Sequence, residues 1–257
     1  MDAVKNVNLV IYEGEMIGLI GQNGAGKTTL AKHFNSLLKP TSGFVYVDGK
    51  DTRTQTVAEL SKIVGYAFQN PDSMIFSNTV IEELEFGPKN IGMSEEEIQR
   101  SIHNMTSLFG LEKYLSETPS ILSAGIKRRL TIASLLVMMP KVLVLDEPTV
   151  GQDRKYANLT MEQIKWLNEN KSLTSVVITH DMRIVAEFCR RVVVMNEGEI
   201  IFDGTPREVF VQNGLLKKTS LEPPQVTQLG LSLREFFNEP VLTVDEMVNK
   251  VFETKRK

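Results

Sequence analysis

The sequence predicts an α/β domain built in layers around a largely parallel sheet. Three observations carry that expectation. Apolar runs of strand length alternate with segments of helical spacing over most of the chain. Val142-Leu143-Val144-Leu145 is unbroken by any polar residue and ends in two acids, the pattern of a strand buried on both faces. A glycine-rich loop beginning at Gly21 lies between one apolar run and one helical segment.

Each element has its own signal. Residues 7–11 and 16–20 read as short strands joined by a turn at Glu13-Gly14. The second feeds the glycine-rich loop, and 27–38 reads as a helix that Lys39-Pro40-Thr41-Ser42-Gly43 stops. Residues 44–47 form a strand ending in the hairpin signal Asp48-Gly49, and 63–68 a further strand. From 79 to about 138 the apolar spacing is mostly helical, with breaks near Gly92-Met93-Ser94 and Pro119. After 142–145, a second buried strand is expected at 175–179. Residues 191–195 and 199–203 make a late hairpin around Asn196-Glu197-Gly198. Thr205 then caps a helix, with Pro206 in its first position and Glu208 completing a capping box. Composition shifts at Glu222-Pro223-Pro224. Two amphipathic pieces follow, about 226–237 and 244–252, and then a solvated basic tail, Lys255-Arg256-Lys257.

Composition narrows the function classes. The 257 residues suffice for one large domain with a small appendage, and 42% apolar with 24% charged residues argues against wholesale disorder. A net charge of −3 excludes a generally basic, nucleic-acid-coating surface. The lone Cys189 excludes an internal disulfide and any multi-cysteine metal site. No apolar run reaches the roughly 18–20 residues of a membrane helix. Met1-Asp2-Ala3-Val4-Lys5 does not open like a secretory signal, so service to a membrane is expected from its surface. His33 and His103 read as ordinary residues, and Trp166 and Cys189 as packing.

The chemistry concentrates in two places. Gly21-Gln22-Asn23-Gly24-Ala25-Gly26-Lys27-Thr28 matches the eight-position phosphate-loop pattern in full. Backbone N–H groups must wrap a triphosphate there, so side chains are small and a helix N-terminus faces the anion. Lys27 would reach the β- and γ-phosphates, the Thr28 hydroxyl would ligate Mg²⁺, and Thr29 belongs to the same ATP-binding set. Asp146 and Glu147 end the buried strand, where ligands of open α/β sheets sit. Asp146 would hold Mg²⁺, and Glu147 would polarise the attacking water as general base.

Further segments resemble the ATP-binding-cassette family. Leu122-Ser123-Ala124-Gly125-Ile126-Lys127-Arg128-Arg129 resembles its signature, usually Leu-Ser-Gly-Gly-Gln. Gln69 resembles the Q-loop glutamine, Pro148-Thr149-Val150-Gly151-Gln152-Asp153 the run into the D-loop, and His180 the switch histidine. Residues 64–72 with Ile75-Phe76, Thr79-Val80, Glu82-Glu83 and Phe86-Gly87-Pro88 are similar to the ATPases of energy-coupling factor transporters, which import vitamins and transition-metal ions.

The resemblance implies a P-loop NTPase with a RecA-like core, an antiparallel β subdomain and a helical signature subdomain at about 79–138. The cassette would span 1–215, and 216–257 would be the C-terminal extension of the transporter type. It implies ATP and Mg²⁺ as cofactors and Glu147, His180 and Gln69 as the catalytic set, with Gln69 also sensing the metal. A second cassette, in a homo- or heterodimer, would meet Ser123, Gly125 and Asp153 across paired sites. An integral membrane coupling subunit and a membrane substrate-binding subunit would complete the assembly at the cytoplasmic face. Met74 and Ile75 are candidate contacts for a membrane-subunit helix. A nucleic-acid partner is not expected: the charge is acidic, and 95 positions from Lys27 to Leu122 leave no room for a long coiled-coil arm.

Two departures carry expectations. Ala124 and Ile126 stand where the family has glycine and glutamine, which would weaken the composite site that borrows this signature and suit an asymmetric or regulatory pairing. The family's adenine-stacking aromatic would fall before Met1, so stacking is lost or supplied otherwise, or the chain is a truncated form. Losing it would cost about 1–3 kcal/mol by analogy with base–aromatic stacking.

Overall fold

The computed structural model describes residues 2–235, 237 and 239–254. The first elements are β1 (Met16–Gly21), α1 (Lys27–Lys32), β2 (Tyr46–Val47), β3 (Lys50–Asp51), α2 (Val57–Ser61) and β4 (Val64–Ala67). The helical stretch holds α3 (Val80–Ile91), α4 (Glu95–Phe109) and α5 (Ala124–Leu136). Then come β5 (Val142–Asp146), α6 (Arg154–Lys171), β6 (Thr174–Ile178), α7 (Met182–Phe188), β7 (Arg191–Asn196) and β8 (Glu199–Gly204). Four helices follow: α8 (Pro206–Phe210), α9 (Asn213–Lys218), α10 (Gln225–Ser232) and α11 (Val244–Thr254). The chain divides into two compact units.

The first unit comprises Met1–Ile11, Glu15–Lys27 and Ile178–Lys257. Its strands run in the order β1-β7-β8. β1 pairs parallel with β7, from Ile17↔Arg191 to Gly21↔Met195, and every β1 residue is buried. β7 turns back into β8 as the expected hairpin. Arg191 secures the sheet edge, bonding Asp203, Glu15 and the Val10 carbonyl. The expected strand at 7–11 is absent: the segment is irregular, held by bonds such as Arg191 NH1 to Val10 O at 2.8 Å and not by a ladder. The capping box at Thr205 and Glu208 is present as read. Helix α10 stops at Ser232, short of 237, because Phe237, Val241 and Met247 turn inward to form a small core with Val226 and Leu233. The tail Lys255-Arg256-Lys257 lies outside the described residues.

The second unit comprises Tyr12–Gly14 and Thr28–Val177. β4 and β5 pair in parallel from Val64↔Val142 to Ala67↔Leu145, with β6 next in order. Helix α1 ends at Lys32, six residues earlier than the spacing predicts. Asn35 and Ser36 explain this: the Asn35 Oδ1 accepts the Leu37 N–H, and the buried Ser36 hydroxyl donates to Thr52 O at 2.9 Å. Side chains that bond backbone elsewhere compete with the helix ladder. The hairpin turn at Asp48-Gly49 has both φ positive, as a two-residue turn of this kind requires. The helical stretch breaks at Gly92, whose φ of 82° closes α3 as a left-handed cap. The second break is longer than Pro119 alone would cause, running from Gly110 through two 3₁₀ turns to Leu122. Trp166 does not pack inward: it is 47% exposed on α6. Cys189, in the first unit, is buried as expected, and burial pushes its thiol up to about 12.

Candidate functional site

The glycine loop belongs to the first unit. It leaves the end of β1 and turns tightly, with the Ala25 N–H donating to Gln22 O at 3.1 Å. Gly26 has a φ of 98°, and a Cβ there would lie 2.4 Å from the Ala3 carbonyl oxygen, so only glycine fits. Lys27 is buried and curls back over the loop, its Nζ donating to Gly21 O and Gln22 O at 2.8 Å each. Gln22, Asn23 and Gly24 are exposed, while Ala25 is buried. The Gln22 amide donates to Lys218 O and Ser220 Oγ at 3.1 Å each, tying the loop to the segment after α9. His180 is exposed just beyond β6. Its neighbours are fixed: Asp181 N–H donates to Thr179 Oγ1, and Asp181 caps α7 through the Arg183 and Ile184 N–H groups.

The acids belong to the second unit. Asp146 and Glu147 are both buried at the end of β5. The Thr28 hydroxyl donates to Asp146 Oδ2 at 3.0 Å, and the Tyr66 hydroxyl donates to the same oxygen at 3.1 Å. Burial first, and then the Asp146 charge, pushes the Tyr66 phenol above its ordinary range, so it stays a donor. Glu147 holds a φ of 50°, a backbone conformation that non-glycine residues rarely adopt and that costs of order 1 kcal/mol or more. One hydroxyl and one carboxylate are hard oxygen donors of the kind Mg²⁺ takes, the rest of its shell coming from phosphate and water. The residues present therefore fit Mg²⁺. Thr29 is half-buried, and its carbonyl lies 2.7 Å from His33 Nδ1.

Gln69 is exposed, directly after β4. Ser123 is the N-cap of α5, yet its side chain makes no capping bond, and it is exposed together with Ala124. Ala124 is an ordinary first-turn helical residue, so its methyl imposes no backbone strain. A Cβ on Gly125 would meet only Gln152 Cγ, at 4.0 Å. Asp153 caps α6 by accepting the Tyr156 N–H at 3.0 Å. Gln152 also has local work: it donates to Pro148 O and accepts from Thr160. Met74 is turned inward, its sulfur accepting the Phe68 N–H, and Ile75 is half-buried. Phe76 is the outward residue, 64% exposed and edge-on to exposed Phe86 at 4.5 Å. Buried Glu83 fixes that loop by accepting the Phe76 and Ser77 N–H groups.

Two residues escaped the sequence reading. Tyr66 had a usable signal, since a tyrosine within an apolar strand needs a partner for its hydroxyl. Arg128 had none. It stood only as part of the basic end of the signature segment, yet it is 2% exposed and donates to the Phe68 and Gln69 carbonyls.

A phosphate-type loop closing on its own lysine, and in the other unit a hydroxyl–carboxylate pair beside a second buried acid, are features of the P-loop class of nucleotide-binding proteins. The family model described as ABC transporter matches residues 4–150. The chain belongs to the ABC transporter family. It is 47% identical over 247 residues to a putative ABC transporter ATP-binding protein of Caldanaerobacter subterraneus subsp. tengcongensis, covering 96% of this chain and 42% of that relative. It thus spans about two fifths of the length of such relatives. It is 42% identical to the energy-coupling factor transporter ATP-binding protein EcfA1 of the same organism, over 95% of this chain and 90% of that one. The solved structure of cbiO1 from Clostridium perfringens, described as part of the ABC transporter complex cbiONQ, superposes with a TM-score of 0.76 at 35% identity, covering 90% of this chain and 92% of that one.

Proposed function

We propose that this chain is the ATP-binding and hydrolysing subunit of an energy-coupling factor type importer, powering uptake of a vitamin or a transition-metal ion. The observation that carries the reading is the pair of hydroxyls, Thr28 and Tyr66, fixing Asp146 beside buried Glu147. When bound, Mg²⁺ neutralises charge on the phosphates and polarises them for attack. The loop at 21–27 binds phosphate oxygens, with Lys27 exchanging its two loop carbonyls for them. Thr28 and Asp146 hold the metal, Glu147 takes a proton from the attacking water, and His180 and Gln69 orient that water.

A second cassette would complete each site, presenting its signature to this chain's nucleotide while Ser123 and Gly125 serve the partner's. The uncommitted Ser123 hydroxyl supports that role. Among the described residues no helix is long and apolar enough to cross a membrane. The exposed Phe76–Phe86 pair beside the Gln69 segment supports an integral membrane coupling subunit as the partner that is moved, with the cassette on the cytoplasmic face. A separate membrane protein would bind the substrate. The altered signature, Ala124 and Ile126, favours an asymmetric pair in which one composite site turns over slowly.

The test is capture of the tagged full chain from its host's membranes in mild detergent. A second cassette and an integral membrane protein are expected with it. Recovery of soluble factors alone would overturn the transporter reading.

A further inference from the structure

Two adjacent carbonyls, of Phe68 and Gln69, follow strand β4 and open the segment beyond it. Carbonyls in partly buried surroundings need donors. Here both find the same one: Arg128 NH1 donates to Phe68 O at 2.6 Å, and NH2 donates to Gln69 O. Arg128 sits on α5, one turn beyond Ser123, and is among the most deeply buried side chains of the protein. The same two segments meet again where Lys127 Nζ pairs with Asp72 Oδ1 at 2.7 Å. The segment is stiff in itself. Asn70 caps the 3₁₀ turn Pro71–Ser73 by accepting the Asp72 N–H, and the Ser73 hydroxyl donates to Asn70 O. Gln69 itself is exposed, so the direction of its amide follows from where its backbone is held.

Burial alone disfavours a guanidinium charge. Asp146 and Glu147, close enough to attract it, favour that charge. The planar fork of arginine can serve two neighbouring carbonyls at once, which a lysine ammonium, a single point charge, cannot do in the same geometry. We propose that Arg128 is a positioning residue that locks the Gln69 backbone to the signature helix, so that Gln69 and Ser123 shift as one piece. The inference rests on the function proposed above. It adds that the glutamine directed at this chain's own metal site and the serine directed at the partner's phosphate are mechanically one unit.

The test uses the full chain with Arg128→Lys and Arg128→Met. Amide exchange in residues 69–74 should rise about tenfold or more, while exchange in residues 130–136 of α5 stays within about twofold of wild type. With MgATP, kcat should fall about tenfold or more while KM stays within about twofold, the split expected when positioning and not binding is lost. Arg128→Lys should recover part of the loss. Unchanged exchange at 69–74 would overturn the proposal, and so would raised exchange there with kcat intact. A parallel rise in α5 exchange with a drop in Tm in both variants would make Arg128 a core strut only and would also overturn it. If the wild-type chain shows no turnover even when assembled with its partner cassette, the proposed function fails, and the exchange result still decides the role of Arg128.

Discussion

At the residue scale the account turns on Asp146. One of its oxygens accepts two hydroxyl donors, Thr28 and Tyr66, at the buried end of β5 in the second unit. Thr28 was legible because phosphate-loop chemistry demands a hydroxyl after the lysine. Asp146 and Glu147 were legible because two acids ending an apolar strand have few other reasons to be there. Tyr66 stood in the same strand pattern, but its hydroxyl has no sequence partner to point to, since Asp146 lies eighty positions away. Tyr66→Phe removes only that oxygen. We expect it to lower unfolding stability by about 1.5–3 kcal/mol, the worth of a bond to a charged acceptor, measured by urea denaturation. It should also raise the Mg²⁺ concentration needed for nucleotide binding. Unchanged stability and an unchanged Mg²⁺ requirement would remove Tyr66 from the site.

At the element scale β1 and β4 to β8 were read nearly to the residue, while the strand expected at 44–47 shrinks to Tyr46–Val47 and the helices were read less well. Period and turn signals fix a short strand at both ends, as at β5 and at the β7–β8 hairpin. A helix boundary depends on which side chains desert the ladder. The early end of α1 required knowing that Ser36 reaches Thr52, a contact made sixteen residues later. The segment at 7–11 had strand composition but no ladder beside it, and composition alone cannot supply a neighbour. Helix α5 shows the same limit from the other side: nothing in its basic trio points to a partner in sequence, yet it holds the Gln69 segment and, through Arg129, the Phe109 carbonyl. The start of α5 is the place for a direct test of the altered signature. Because Ala124 is exposed and unstrained, Ala124→Gly with Ile126→Gln should leave the fold intact. In the assembled pair it should raise steady-state ATP turnover several-fold, about 1 kcal/mol off the barrier. Turnover that stays level would mean that the signature does not limit the rate.

At the scale of the whole molecule, the candidate residues fall into two compact units: the glycine loop and His180 in one, the acids, Gln69 and the signature in the other. The family was legible because its motifs recur in order along the chain, each with a chemical reason. The segment 216–257 was read from a change in composition, two amphipathic pieces and a resemblance. Its small core of Phe237, Val241 and Met247, and the bond from Gln22 to Lys218 and Ser220 that brings the chain after α9 to the phosphate loop, came from the structure. The central claim is that this is an ATPase whose base is Glu147. The most direct measurement is MgATP turnover and MgATP affinity of the full chain and of Glu147→Gln, side by side. The account predicts that turnover falls by about a hundredfold or more, as loss of a general base requires, while affinity is retained. Turnover in Glu147→Gln equal to that of the wild type would contradict it.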